Sequence, residues 1–174
     1  MQQSFAILFA PDGQQIPDAV RRWIESHRIP ILQAATADDL MAVSLRSRPR
    51  MVVIDARHQL VAALTVCARL KADSFTGIVP VAVCTRADDI AFAAAFDAGG
   101  DEVLRDGISD SELRHRLDAL LRRSDRDTFV HPSTRLPGAI EIETEITRRL
   151  DGGGTFAVCY VDLDHFKEFK LCFI

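Results

Sequence analysis

Short apolar runs alternate with amphipathic segments along the first two-thirds of the chain. The run at residues 51–55 is continuous and rich in β-branched side chains, which predicts a strand buried on both faces. Residues 17–27 carry apolar side chains at helical spacing, and Ser109 with Glu112 forms a capping box that opens another helix. Five such βα units predict a five-stranded, doubly wound parallel α/β sheet flanked by helices. The predicted strands cover residues 5–10, 29–32, 51–55, 78–83 and 102–104.

The predicted helices between these strands have recognisable ends. Thr36 is an expected N-cap, and Leu40, Val43 and Leu45 form the apolar stripe of the helix that follows it. Gly99 and its neighbour are expected to end the alanine-rich helix before the last strand, because glycine adopts the backbone angles of a C-cap.

The regular pattern ends at a charged segment after residue 123. We therefore divide the chain into a domain at 1–123, a linker at 124–132 and a C-terminal segment at 133–174. That segment contains an amphipathic helix around Ile146, a glycine-rich turn and an apolar run at 156–161 that predicts one more buried strand.

Composition excludes several classes of protein. A net charge of −4 and a pI near 5.7 give no electrostatic case for nucleic acid or an anionic membrane as a partner. The four cysteines form no C-x-x-C pair, which argues against a zinc site or a disulfide framework. The N-terminus has neither a basic region nor an apolar stretch long enough for a signal peptide or a membrane span, so we expect a cytoplasmic protein.

Two neighbouring strand ends carry the candidate chemistry. Asp55 closes the third predicted strand, and Thr85 follows the fourth strand thirty residues later. In a parallel sheet the carboxyl ends of the strands meet at one edge, where active sites of this architecture lie. A carboxylate beside a hydroxyl at that edge suits phosphoryl transfer to an aspartate.

The five βα units with these two residues resemble the receiver domain of two-component response regulators. The resemblance implies that Asp55 accepts phosphate from a histidine kinase in a phosphorelay and that Thr85 senses it. It also implies that Asp12 and Asp55 hold Mg²⁺. The sequence departs from the family at Pro11, which occupies the first acidic position, and at Asp106, which occupies the lysine position.

These departures leave two hypotheses open. The domain is either a phosphorylated receiver with a weakened Mg²⁺ site, or a degenerate pseudo-receiver that acts as a dimerisation or protein-docking module without phosphotransfer. A homodimer is expected in both cases. Asp106 adds repulsion in place of the missing lysine, although Arg105 is able to compensate if it turns inward. A Mg²⁺ titration discriminates between the two hypotheses.

Residues from about 127 to 169 resemble the opening of a GGDEF domain, the catalytic domain of diguanylate cyclases. The matching pieces are residues 133–138 and the more specific 160–167. The family condenses two GTP molecules into cyclic di-GMP with two Mg²⁺ ions. The resemblance implies that Asp162 is a metal ligand and that the nucleotide-binding residues are Leu163, His165, Phe166 and Lys167.

The resemblance ends at Phe169, and the tail at 170–174 does not match the family. We therefore expect an incomplete α+β cyclase fragment that does not make cyclic di-GMP by itself, which leaves open whether the chain is an enzyme. The segment 99–102 spells most of the GGDEF signature, but it precedes the last receiver strand, where receivers carry a similar turn. No G-x-G-x-x-G follows the first strand and no G-x-S-x-G is present, so a dinucleotide-binding enzyme and a serine hydrolase are disfavoured.

Overall fold

The structure is a computed structural model that describes residues 5–11, 13, 15–47, 49–129 and 138–161. The chain folds as two compact units, residues 1–128 and 129–174. The first unit contains a five-stranded, all-parallel sheet with the strand order β2-β1-β3-β4-β5, which confirms the predicted sheet. Its strands are β1 Ala6–Phe9, β2 Ile31–Ala34, β3 Met51–Asp55, β4 Val81–Thr85 and β5 Glu102–Arg105.

Five helices cover the two faces of this sheet: α1 Asp18–Ser26, α2 Ala37–Arg46, α3 Leu60–Ala72, α4 Asp89–Asp97 and α5 Asp110–Phe129. Alternate residues of the central strand enter opposite cores. Val52 and Ile54 pack with α2, α3 and α4, whereas Met51 and Val53 pack with α1 and α5. Burial on both faces explains why β3 and β4 are continuous apolar runs.

The predicted helix ends are confirmed by their hydrogen bonds and angles. The Thr36 hydroxyl accepts a bond of 3.1 Å from the Asp39 amide, and the Ser109 hydroxyl accepts one of 3.2 Å from the Glu112 amide. Gly99 follows the end of α4 with a φ of +90°, in the left-handed region that glycine enters without strain.

Two strands begin later than the sequence pattern predicts. Arg28 has a φ of +54°, so the chain is still turning there, and β2 begins only after Pro30. Similarly, Ile78 lies exposed in a turn, and β4 begins after Pro80. Proline has no N–H to donate to a ladder, which explains why both strands begin directly after it.

The apolar stripe predicted for α2 is wrong at one position. Leu45 is 44% exposed, while Met41 and Ser44 are buried with Leu40. A helical turn of 3.6 residues places positions 40, 41 and 44 on one face, and position 45 at its border.

Helix α5 extends to Phe129, so it includes the first part of the segment predicted as a linker. An ion pair accompanies this extension: the Arg50 guanidinium donates a bond of 2.8 Å to the Asp125 carboxylate, in the part of the helix beyond residue 123. None of the helices in the described ranges combines the length and the hydropathy that a membrane span requires.

The second unit contains one described helix, α6 Ala139–Asp151, which includes the predicted Ile146. Glu145 accepts bonds from Arg148 and Arg149 on this helix, and these bonds lower the pKa of Glu145 to about 2. The strand predicted at 156–161 is wrong, because the described residues 154–161 form no strand. A strand needs a neighbour for its hydrogen bonds, and the described part of this unit supplies none.

Candidate functional site at the carboxyl edge of the sheet

The central strands bring two of the predicted site residues to one edge of the sheet. Asp55 ends β3 and lies opposite Cys84 of β4, so Thr85 is one residue further along the neighbouring strand. Thr85 in turn lies opposite Arg105 of β5. Asp12, the third residue of the expected pocket, lies outside the described residues.

Asp55 is buried, and a neighbouring guanidinium holds its carboxylate. Its side chain is only 1% exposed. The Nε atom of Arg57 donates to Oδ1 at 3.0 Å and Nη2 donates to Oδ2 at 2.8 Å, while the Arg57 backbone amide donates to Oδ1 at 3.0 Å. Such a two-pronged, charge-assisted contact is the strongest kind that arginine makes with a carboxylate.

Arg57 also contacts two further groups around the pocket. Its Nη2 atom donates to the Gln15 carbonyl at 3.1 Å, and its Nη1 atom lies 3.6 Å from a carboxylate oxygen of Asp106. The hydrogen bond to Asp55 and the nearby negative charges raise the pKa of Arg57 further above its ordinary value. The guanidinium is therefore a permanent positive charge between two carboxylates.

Thr85 brings a free hydroxyl to the same edge. Its side chain is fully buried, and within the described part of the chain its Oγ1 atom has no hydrogen-bond partner. A buried hydroxyl without a partner is costly, so it marks a place where a ligand or a rearrangement is able to supply an acceptor. By strand alternation Thr85 shares the face of Val81 and Val83, while Asp55 shares the opposite face with Val53.

Cys84 is buried directly beside Asp55 in the strand register. Burial, followed by the negative charge of Asp55, raises the pKa of its thiol well above the ordinary value. Cys84 is therefore a neutral, apolar wall of the pocket rather than a nucleophile.

Asp106 occupies the position where the receiver family has a lysine, and it lies at the edge of this pocket. The Asp106 amide donates to the Thr85 carbonyl at 2.8 Å, and its carboxylate, half exposed, faces Arg57. Arg105 does not turn inward to compensate for the missing lysine. Its guanidinium pairs with Asp89 at 2.9 Å and lies 3.9 Å from the centre of the Phe92 ring, on the side of α4.

The described residues do not form a divalent-metal site. They contain no group of three or more His, Cys, Asp or Glu side chains able to hold an ion. Both oxygens of Asp55 accept hydrogen bonds from Arg57, and Pro11 supplies no carboxylate at the first acidic position. Magnesium requires several oxygen ligands in near-octahedral array, and the described donors, which do not include Asp12, do not supply such a set.

Comparison with known proteins gives the sequence relatives of this chain. The DNA-binding dual master transcriptional regulator RpaA of Synechocystis is 31% identical over 121 residues, which is 69% of this chain and 50% of RpaA. The response regulator MprA of Mycobacterium leprae is 29% identical over 122 residues, 70% of this chain and 53% of MprA. The chain thus spans about half the length of these relatives. No protein-family model matches it.

Solved structures show the same fold. A response regulator from Thermotoga maritima matches with a TM-score of 0.56 and 15% identity, over 68% of this chain and 98% of that one. The signal receiver domain of a histidine kinase from Syntrophus aciditrophicus matches with a TM-score of 0.58 and 16% identity, over 75% and 99% of the two chains. The N-terminal unit is a response-regulator receiver domain.

These matches leave two other expectations open. They give no support for a cyclase domain near the C-terminus of the chain, because the named relatives are response regulators. The residues assigned to that site lie outside the described part of the structure: Asp162, Leu163, His165, Phe166 and Lys167. Since RpaA is described as DNA-binding, the expectation that nucleic acid is not a partner is not confirmed.

The segment 99–102 has a structural role in the receiver domain. A carboxylate oxygen of Asp101 accepts bonds from the Val81 amide at 2.7 Å and from the Lys71 ammonium at 2.9 Å. Glu102 lies within β5, where its buried carboxylate is held by arginines of α5. These bonds fasten the amino ends of β4 and β5 to α3 and α5, at the opposite end of the strands from Asp55.

Sequence reasoning missed Arg57, although its guanidinium engages both oxygens of Asp55. The available signal was its place: a cation two residues after a carboxylate that ends a buried strand. In the receiver domain this spacing allows both the backbone amide and the guanidinium of one residue to reach the same carboxylate.

Proposed function

We propose that the receiver domain is the regulatory input of a signal-transduction protein, with Asp55 as its phosphoacceptor and Thr85 as its phosphate sensor. The observation that carries this proposal is the position of a buried carboxylate and a buried hydroxyl, which has no partner among the described residues, at the ends of neighbouring strands. A structural threonine at this depth satisfies its hydroxyl locally, as Thr76 does with the Leu70 carbonyl at 2.7 Å.

The proposed step is transfer of one phosphoryl group. An Asp55 oxygen attacks phosphorus, and the bond from phosphorus to the donor's leaving atom breaks, so that its electron pair departs with the leaving group. The product is an acyl phosphate, which brings new acceptor oxygens to the edge of the sheet. The Thr85 hydroxyl then gains a partner, and this change couples the acceptor to β4 and α4. The donor of this class is a phosphohistidine of a kinase partner.

Acetyl phosphate tests the proposal without a cognate kinase. The purified chain is incubated with acetyl phosphate, with and without Mg²⁺, and intact mass spectrometry measures the gain of one phosphoryl group. We expect a gain in the wild type and none in Asp55→Asn. Thr85→Val should accept the label but lose the accompanying change in the NMR resonances of α4. Equal labelling of wild type and Asp55→Asn would exclude Asp55 as the acceptor.

A second function is favoured by the Arg57 contact. The Arg57 guanidinium donates to both oxygens of Asp55 and so obstructs their access to a phosphoryl donor. The domain is therefore also suited to act as a docking or dimerisation module without phosphotransfer. Sedimentation of the wild type and of Asp55→Asn discriminates between the two functions. A docking module keeps the same association constant in both proteins, whereas a phosphorylated input changes its association only in the wild type treated with acetyl phosphate.

The C-terminal segment is proposed to begin an output domain, and its resemblance to a diguanylate cyclase supplies the candidate activity. Support comes from the motif at residues 160–167, whereas RpaA is described as a DNA-binding transcriptional regulator. We expect the purified chain to make no cyclic di-GMP from GTP and Mg²⁺, because the resemblance ends at Phe169. Detection of that product by chromatography would contradict this expectation.

A further inference from the structure

The carboxylate of Asp55, the proposed phosphoacceptor, is in direct contact with a positively charged side chain of the same domain. Arg57 engages both oxygens of Asp55 through its guanidinium and adds a further bond from its backbone amide. Donor and acceptor are two positions apart in the chain, so the contact needs no movement of a helix to form. Neither the composition nor the receiver resemblance assigns any role to this arginine.

The guanidinium is also fixed on its outer side. Nη2 donates to the Gln15 carbonyl at 3.1 Å, and Nη1 lies 3.6 Å from Asp106. A planar guanidinium that is held at several nitrogen atoms is a rigid fork, unlike the compact charge of a lysine. Arg57 therefore fills the space between Asp55 and Asp106, where the two carboxylates would otherwise face each other.

We infer that Arg57 is the resident cation of this pocket and excludes a divalent metal ion while its pair with Asp55 is closed. Two carboxylates that converge on one point attract a cation, and in this domain the protein supplies that cation itself. The inference takes the site at Asp55 from the proposed function, but it concerns metal binding and does not require phosphoryl transfer. If it holds, a lack of Mg²⁺ binding by the wild type does not by itself favour the docking module, because the closed Arg57 pair masks the site. The acetyl phosphate experiment then makes that distinction.

Titration calorimetry with Mg²⁺ alone tests the inference on the full chain. Wild type should show no saturable heat at millimolar Mg²⁺. Arg57→Gln should bind Mg²⁺ about tenfold or more tightly than wild type, because removal of the guanidinium unmasks two carboxylates. The matched control is Arg105→Gln, which removes a nearby arginine that points toward α4 and should leave the heats unchanged.

Three further variants identify the ligands and guard against loss of folding. Adding Asp55→Asn or Asp106→Asn to Arg57→Gln should abolish the new binding, which locates it in this pocket. Arg57→Lys keeps the charge without the fork, so it should bind Mg²⁺ less tightly than Arg57→Gln and more tightly than wild type. If circular dichroism shows that Arg57→Gln is unfolded, the Mg²⁺ affinity of Arg57→Lys is compared with that of the wild type instead.

The inference is overturned if wild type binds Mg²⁺ at millimolar concentration and Asp55→Asn abolishes that binding. It is also overturned if folded Arg57→Gln gains no affinity over wild type. Failure of the phosphoacceptor proposal has a different signature: no Asp55-dependent phosphoryl label forms in any variant, while the metal titrations keep the pattern expected here.

Discussion

Substitution of Arg57 by glutamine should cost the receiver domain about 3 kcal/mol of its free energy of unfolding. Asp55 is 1% exposed and Arg57 is 19% exposed, so the variant leaves a carboxylate buried without a compensating charge. Removing one partner of a buried ion pair costs about 3–5 kcal/mol. The lower end applies because the backbone amide of residue 57 still donates to Oδ1 in the variant.

A double-mutant cycle with Asp55→Asn isolates the pair. Arg57→Gln with Asp55→Asn replaces two charges by two neutral amides, so the double variant should recover most of the loss, with a coupling energy of about 2 kcal/mol. Urea unfolding followed by circular dichroism at neutral pH measures all four proteins, with the free energy extrapolated linearly to water.

The matched control is a surface ion pair with a similar distance between the charged nitrogen and oxygen atoms. Arg69 lies 2.9 Å from Asp38, with side chains that are 57% and 87% exposed, so Arg69→Gln should cost less than about 1 kcal/mol. If Arg57→Gln costs no more than this control, or the coupling energy falls below about 0.5 kcal/mol, the buried pair does not stabilise the domain and the reasoning is refuted.

Further predictions test the packing and the capping. Gly100→Ala should destabilise the domain by about 1–3 kcal/mol in urea, because a Cβ there would lie 2.9 Å from the Ala95 carbonyl, whereas Gly154→Ala has open space and should be neutral in the same assay. Thr36→Ala should cost about 1 kcal/mol by loss of the N-cap bond, and an unchanged urea midpoint would contradict that role. Iodoacetamide should label the exposed Cys159 first in peptide maps, because burial raises the pKa of Cys67 to about 11 and keeps its thiol neutral below that pH; equal labelling of both at pH 8 would contradict this.

Much of the receiver fold could be predicted because its signals are local. The run at 51–55 gave β3 with both ends correct, since a continuous β-branched segment between breakers has few alternatives. The caps at Thr36 and Ser109 depend on side chains within three residues of each other, which a sequence displays directly. The strand starts near Pro30 and Pro80 were misjudged because turn geometry, not hydrophobicity, decides where pairing begins.

The direction of Arg105 was predictable in principle from strand parity. Val103 packs into the core beneath α4, so residue 105, two positions later, projects toward the same side. Asp55 shares parity with Met51 and Val53, which face α1 and α5. The two residues therefore leave their strands on opposite faces, in agreement with the contacts of the Arg105 guanidinium with Asp89 and Phe92 on the side of α4.

The Arg57 contact could not be predicted from periodicity, because residue 57 lies in the loop between β3 and α3, where side-chain directions follow no period. The strand predicted at 156–161 failed for a different reason. Its sequence has the apolar, β-branched character of a strand. However, a strand forms only beside a neighbouring strand, and the sequence of one segment does not reveal whether a distant part of the chain supplies that neighbour.

The pair between Asp55 and Arg57 closes across a single intervening residue, whereas the pair between Arg50 and Asp125 spans 75 positions. Closing so short a loop costs almost no chain entropy, so the contact is available as soon as the third strand joins the sheet. Residues 55–57 therefore contain both the carboxylate and the guanidinium that neutralises it. Local geometry alone brings the guanidinium to Asp55, whereas its outer contacts come from Gln15 and Asp106, so a transplanted segment needs both of those groups to keep the same arrangement.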